Sequence, residues 1–389
     1  MKFDFYLSEM SVSDLHGGGL TLQRVLGNQL NDIPCFIHVN RFATDLPASE
    51  NFAGKSINLP SSWDSDKVRK VLGRTLSAKI SKTSTMIRQH ARYAATVINN
   101  KFKRNHELCA LVCPQGANAI YTLHELQKHR PVKYITWIMD DHITEFADGS
   151  WRYPRYIESI LTEHLRKAEQ VFVISPAMQE FYKSRFGVQS TVLFGSSNVV
   201  EAAQEYSVNL NKPLKIGYFG AVANWQRDAL IAVADALKGT DTELHIYSGV
   251  NELPGDLQVD EVHFNGRLAP NEVQTTMHNY DALLLPISFK AELRNMSEFN
   301  IATKMSEYLA CGVPIIAVGP AYSAMIKYLD EHKAAITVSS TQKEDIANTI
   351  SLLRDQKQVS HILKNAQDLV KSEVSTEPML KKWLSVINS

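Results

Sequence analysis

Short runs of β-branched and aromatic residues alternate along this chain with longer segments in which apolar positions recur every three to four residues. That alternation is the pattern of parallel strands joined by helices. In the first half it predicts strands near 3–7, 34–39, 108–112, 133–139, 170–174 and 190–194, and helices near 20–29, 66–102, 152–168 and 176–185. A polar, aperiodic stretch over 194–213 ends in Pro213 and reads as a linker. The alternation then restarts, with strands at 215–220, 243–249, 262–266, 281–287 and 313–319 and helices near 226–238, 271–279 and 301–311. The last segment, 375–389, has apolar residues at 379, 380, 384 and 387 and reads as an amphipathic helix that must dock on another surface. The expectation is two doubly wound α/β domains in series, 1–198 and 199–372, with 373–389 as a terminal helix. Such sheets bind ligands beyond the carboxyl ends of their strands, so the functional groups are sought in the loops that follow strands and in a cleft between the domains.

Composition narrows the class. The 389 residues are 44% hydrophobic and 21% charged, enough for two cores and unlike a disordered or coiled-coil chain. The 41 Lys+Arg balance the 41 Asp+Glu, but unevenly: eleven basic residues and no acid lie between Lys67 and Arg104. That segregation points to an anionic partner of the first domain, either an acidic or lipid-linked glycan or an anionic membrane surface. A plain solvated helix competes with this reading. No platform of aromatic residues accompanies the basic run, so nucleic acid is not expected. The cysteines, Cys35, Cys109, Cys113 and Cys311, are too scattered for a disulfide framework, and no second ligand pair follows Cys109 and Cys113, so no metal site is expected. Asp4 interrupts what would be the core of a signal peptide, and no run reaches the ~18 apolar residues of a spanning helix. The expected location is cytoplasmic, at most peripheral at the inner face of a membrane.

Five segments carry candidate chemistry. Gly17, Gly18 and Gly19 follow the first strand and open a helix, where backbone amides can approach an anion; a ligand-free turn is the plain alternative. Asp140, Asp141 and His142 close a buried strand and suit the orientation or deprotonation of an acceptor hydroxyl, with a helix cap as the alternative. Ser175 with Pro176 reads mainly as a helix start. Gly220 with Asn224 and Arg227 suits a diphosphate, with Arg227 as an ordinary surface residue the alternative. The sharpest segment runs from Asn300 through Ile301, Ala302, Thr303 and Lys304 to Glu307, then to Gly312 and Pro314. Lys304 in the first turn suits phosphate, and Glu307 one turn later suits the hydroxyls of a ribose, with a Lys–Glu pair on a solvated helix as the alternative.

The stretch Lys304 to Ile315 resembles the K-x-x-E-Y-L-A-x-G-x-P-V/I segment of the family 4-like, group 1 glycosyltransferases of the GT-B fold. Further marks fall in the same order: the Gly17–Gly19 turn, Ser175, the strand ending at Gly220 with Trp225 and Asp228, Phe264 to Gly266, and Asp281 to Pro286. The resemblance implies two Rossmann-like domains, a nucleotide diphospho-sugar on the second (UDP- or GDP-linked), a glycan or lipid-linked acceptor on the first, retention of anomeric configuration, and no separate cofactor. It implies that Lys304, Arg227 and the amides near Ala302 hold the leaving diphosphate, that Asp140–His142 stand where relatives place a histidine, and that Met379, Leu380, Trp383 and Leu384 dock the last helix on the first domain. Three places depart from the family pattern: Phe299 stands where many members carry a first glutamate, with Glu298 adjacent, and Ala221 and Gln226 replace an Arg and a Lys. A nucleotide-sugar 2-epimerase and a non-catalytic sugar-nucleotide-binding protein are the alternatives.

Overall fold

The computed structural model describes residues 1–12, 17–40, 54–197, 206–207 and 212–388. Residues 13–16, which precede the three glycines, and 198–205 and 208–211 of the linker lie outside the described residues. Two compact units form, Met1–Gly195 with Leu380–Ser389, and Ser196–Met379.

The first unit contains β1 (Phe5–Ser8), α1 (Gly17–Leu26), β2 (Cys35–His38), β3 (Lys55–Asn58), α2 (Asp66–Ser81), α3 (Ser84–Lys101), β4 (Leu108–Cys113), α4 (Ala117–Gln127) and β5 (Val132–Ile138). The hairpin β6 (Glu145–Ala147) and β7 (Ser150–Arg152) follows, then α5 (Arg155–Lys167), β8 (Gln170–Val173), α6 (Pro176–Phe186) and β9 (Thr191–Val192). Its sheet is parallel throughout, in the order β3-β2-β1-β4-β5-β8-β9. Parallel strands must be covered on both faces, which is why Leu7 and Val112 on one face and Tyr6 and Leu111 on the other are all buried. Ser175 starts α6 as expected, accepting the Met178 amide at 3.0 Å with Pro176 in the first turn.

The second unit carries β10 (Lys215–Phe219), α7 (Asn224–Leu237), β11 (Glu243–Tyr247), β12 (Val262–Phe264), α8 (Pro270–Met277), β13 (Ala282–Pro286), α9 (Arg294–Phe299), α10 (Thr303–Cys311) and β14 (Ile315–Val318). It continues with α11 (Ala324–Glu331), β15 (Ile336–Val338), α12 (Lys343–Ser351) and α13 (Gln356–Leu369). The sheet order β12-β11-β10-β13-β14-β15 is again parallel. Gly312 ends α10 in the left-handed conformation at φ 73°, as its place in the sequence predicts. The last helix, α14 (Thr376–Ile387), carries the division between the units within it.

Several local expectations are corrected. The basic stretch 66–102 is two helices rather than one, broken at residues 82–83, and Gly73 adopts φ 77° inside the first of them. The helix at 117–127, the short strand at 55–58, the hairpin at 145–152 and the helices of 324–369 have no counterpart among the elements that the pattern predicts. β3 is mostly exposed and α4 is buried almost all round, so neither shows the alternation its type would lead one to seek.

Candidate functional site

In the second unit the loop after β10 and the start of α10 are tied together. Tyr308 on α10 accepts the Phe219 amide on its hydroxyl at 3.0 Å, and Tyr218 donates its hydroxyl to the Ala221 carbonyl at 2.6 Å. These bonds bring two sequence-predicted residues into contact: a Cβ added to Gly220 would run into Nζ and Cε of Lys304. The end of the lysine side chain thus lies across the Cα of Gly220. The ammonium also stands 5.6 Å from the centroid of the Tyr218 ring. Burial lowers the Lys304 pKa from its ordinary value, and the charge of Glu307, one turn on, acts against that shift. Ala302 provides no side-chain cap to α10. A cation desolvated beside a helix start and a glycine loop is arranged to receive an anion.

The other members of this set fall differently. Arg227 pairs with a carboxylate on the surface, its Nη2 and Nε meeting Asp256 Oδ2 at 2.7 and 3.2 Å. Asn224 is exposed at the first position of α7. Asn300 and Ile301 are buried, as is Phe299, which at 2% exposure is part of the core. Glu298 pairs with Arg294 at 2.5 Å, and that guanidinium lies 4.5 Å from the Tyr322 ring centroid. Asp228 anchors the loop after β13 by accepting the Phe289 amide at 2.8 Å.

In the first unit a cavity of about 780 Å³ opens among the loops that follow β1, β4 and β5. Glu9, Asn40, Lys82, Gln115, Asn118, His142, Glu145 and Tyr156 line it, with Ile87, Ile143 and Pro154 as apolar wall. Gly18 borders this region, since an added Cβ would lie 2.9 Å from Met10 Cε and 3.0 Å from Gln115 Nε2. Gly17 and Gly19 form the first turn of α1 with it. The three residues at the end of β5 separate in role. Asp141 is buried and structural: its Oδ2 accepts the Tyr153 and Tyr182 hydroxyls at 2.5 and 2.8 Å, and its Oδ1 accepts the Ile143 and Thr144 amides at 3.1 Å. Both tyrosines are correspondingly pushed well above the usual phenol range, burial being the main cause. Its carboxylate thus caps the loop that follows β5. His142 reaches the cavity and stands 4.0 Å from Asp140.

Glu9 is not among the residues that the sequence pattern singles out. Its oxygens accept the Gln115 and Ala119 amides, each at 2.8 Å, so it caps α4 from the end of β1 where Gly116 offers no side chain. Burial pushes its carboxyl up to about 7, against the pull of those amides. The only signal was its place, an acid one residue beyond the first buried strand.

Residues 213–356 match the family described as Glycosyl transferases group 1. No curated protein sequence matches the chain. Among solved structures, HepE from Anabaena in complex with UDP and glucose is similar at 12% identity and TM-score 0.65 over 100% of both chains. Sucrose-phosphate synthase from Thermosynechococcus elongatus aligns at 14% identity and TM-score 0.69, over 99% of this chain and 98% of that one. A glycosyltransferase from Rickettsia africae aligns at 14% identity and TM-score 0.66 over the same shares.

Proposed function

We propose, from a second unit that carries a glycosyl transferases group 1 domain within a chain of GT-B fold, that the protein transfers a sugar from a nucleotide diphospho-sugar to a hydroxyl of a glycan or lipid-linked acceptor. The observation that carries the reading is the desolvated Lys304 ammonium laid across Gly220 at the start of α10. There it neutralises the diphosphate as the bond to the sugar breaks, and electrostatic stabilisation of a leaving group is worth most where water is excluded. Glu307 faces the ribose in this reading. The cavity of the first unit holds the acceptor, with His142 and Glu9 at its wall to orient the attacking hydroxyl. The departing diphosphate takes the hydroxyl proton, and the anomeric configuration is retained.

A calorimetric panel of UDP-, GDP-, ADP- and dTDP-sugars tests the donor site directly, UDP-sugars being expected to bind. Lys304→Ala is expected to lower turnover by about 10²-fold or more, and unchanged turnover would remove Lys304 from the reaction. The buried Phe299, in the place of a family glutamate, favours one second reading, a sugar-nucleotide-binding protein without transfer. Binding of a donor with neither hydrolysis nor transfer to any acceptor would select it.

The partner of the basic segment is proposed to be an anionic membrane surface. Lys67, Lys70, Arg74, Lys79 and Lys82 are exposed on or beside α2, together with Val71 at 82% and Leu76 at 48% exposure. Trp63 and Tyr93 border a neighbouring groove of about 360 Å³. Charge with interleaved apolar side chains is the composition of an interfacial helix. Among the described residues no helix is long and apolar enough to cross a membrane.

A further inference from the structure

On the sheet of the second unit, three side chains that can ligate a metal converge through strand geometry alone. Glu243 and His245 are two apart on β11 and therefore project from the same face. His263 on β12 lies in register with His245, so its side chain shares that face. His245 Nε2 stands 3.1 Å and His263 Nε2 4.0 Å from Glu243 Oε2, and the ligand atoms of the three lie within 4.8 Å of one another. Ligands of a tetrahedral zinc ion, bonded at about 2.0–2.1 Å, are roughly 3.3 Å apart. The His245–Glu243 separation meets that spacing, and His263 lies on the edge strand with 43% of its side chain exposed, its ring centroid 4.8 Å from that of His245.

We propose that Glu243, His245 and His263 form a binding site for a divalent transition-metal ion, zinc by the character of the ligands, with water completing the coordination. Two imidazoles and a carboxylate suit zinc or its neighbours better than magnesium or calcium, which take oxygen ligands. The site is partly assembled. Tyr280 holds the His245 ring at a centroid distance of 5.3 Å, and the Tyr280 hydroxyl is itself within 2.9 Å of that of Tyr247. Burial leaves 15% of the His245 side chain exposed, while Glu243 at 31% keeps an approach from solvent. Lys215, 3.9 Å from the same carboxylate oxygen, is the cation the metal displaces. The ion would tie the edge strand β12 to β11, so its effect is on the stability of the second unit. The proposal is independent of the glycosyl-transfer reading, since none of its residues belongs to the Gly220–Lys304 cradle.

The test uses the full chain freed of metal by chelation. Titration with Zn²⁺ by calorimetry and with Co²⁺ by visible absorption is expected to show one equivalent bound, together with a rise in apparent melting temperature. His263→Ala, at an exposed edge position, is expected to leave the metal-free melting temperature near that of the parent and to weaken Zn²⁺ binding at least tenfold. Failure of the parent chain to bind one equivalent overturns the proposal. So does Zn²⁺ bound equally well by His263→Ala, which would place the ion on the cysteines or elsewhere.

Discussion

Glu9 has the plainest consequence for stability. Its folded pKa, about 7, stands above its ordinary value of 4.5, so the folded state holds a proton the unfolded state gives up between those values. Its contribution is present in full below about pH 4.5 and is lost as pH rises through 7. Glu9→Gln, which keeps an acceptor for one amide but cannot ionise, is therefore expected to gain stability relative to the parent between pH 5 and pH 8, up to roughly 3 kcal/mol for a shift of this size. Parallel denaturation curves at both pH values check it. Gly220→Ala places a methyl where the Lys304 ammonium lies, and a lysine is flexible enough to move aside. The variant is expected to fold normally and to bind its nucleotide-sugar about tenfold more weakly, measured by calorimetry. Asp141→Ala leaves two buried tyrosine hydroxyls without their acceptor, at about 1–3 kcal/mol each. Urea denaturation should show that loss, and unaltered stability would contradict the structural role.

Among the elements, α2 and α3 share a basic surface but differ in what lies beneath it. Helix α3 buries Ile87, Ala91, Ala94, Ala95 and Ile98 against the core, whereas only Ser77 and Ser81 of α2 are buried. The start of α2 is held by polar contacts instead, with Asp64 accepting Arg69 Nε at 2.8 Å and the Ser77 hydroxyl at 2.9 Å. A helix fixed this way presents its lysines and the exposed Val71 and Leu76 outward. Replacing Lys67, Lys70 and Lys79 together with Gln is expected to reduce co-sedimentation with vesicles containing anionic lipid at low salt, at about 1 kcal/mol per charge removed. Parent protein that stays in the supernatant under those conditions would exclude the membrane surface as partner.

For the whole molecule, the terminal helix closes the first unit: Trp383, 1% exposed, lies with ring centroids 4.9 Å from Phe172, 6.1 Å from Trp137 and 6.3 Å from Phe3. Trp383→Ala is expected to cost about 3–5 kcal/mol of stability, measured by chemical denaturation. The sequence by itself determined the two α/β units, the Ser175 and Gly312 helix ends and the Lys304 segment, because strand and helix periods, caps and breakers act over a few neighbouring residues. Tertiary structure alone decided which polar groups meet. Only packing shows that Asp141 is consumed by two tyrosines, that Arg227 turns to Asp256 and that Glu9 caps a helix more than a hundred residues away. Strand register likewise set His263 beside His245, eighteen positions apart in the chain. A side chain's chemistry follows from burial and from its partners, and those are set by which strands become neighbours.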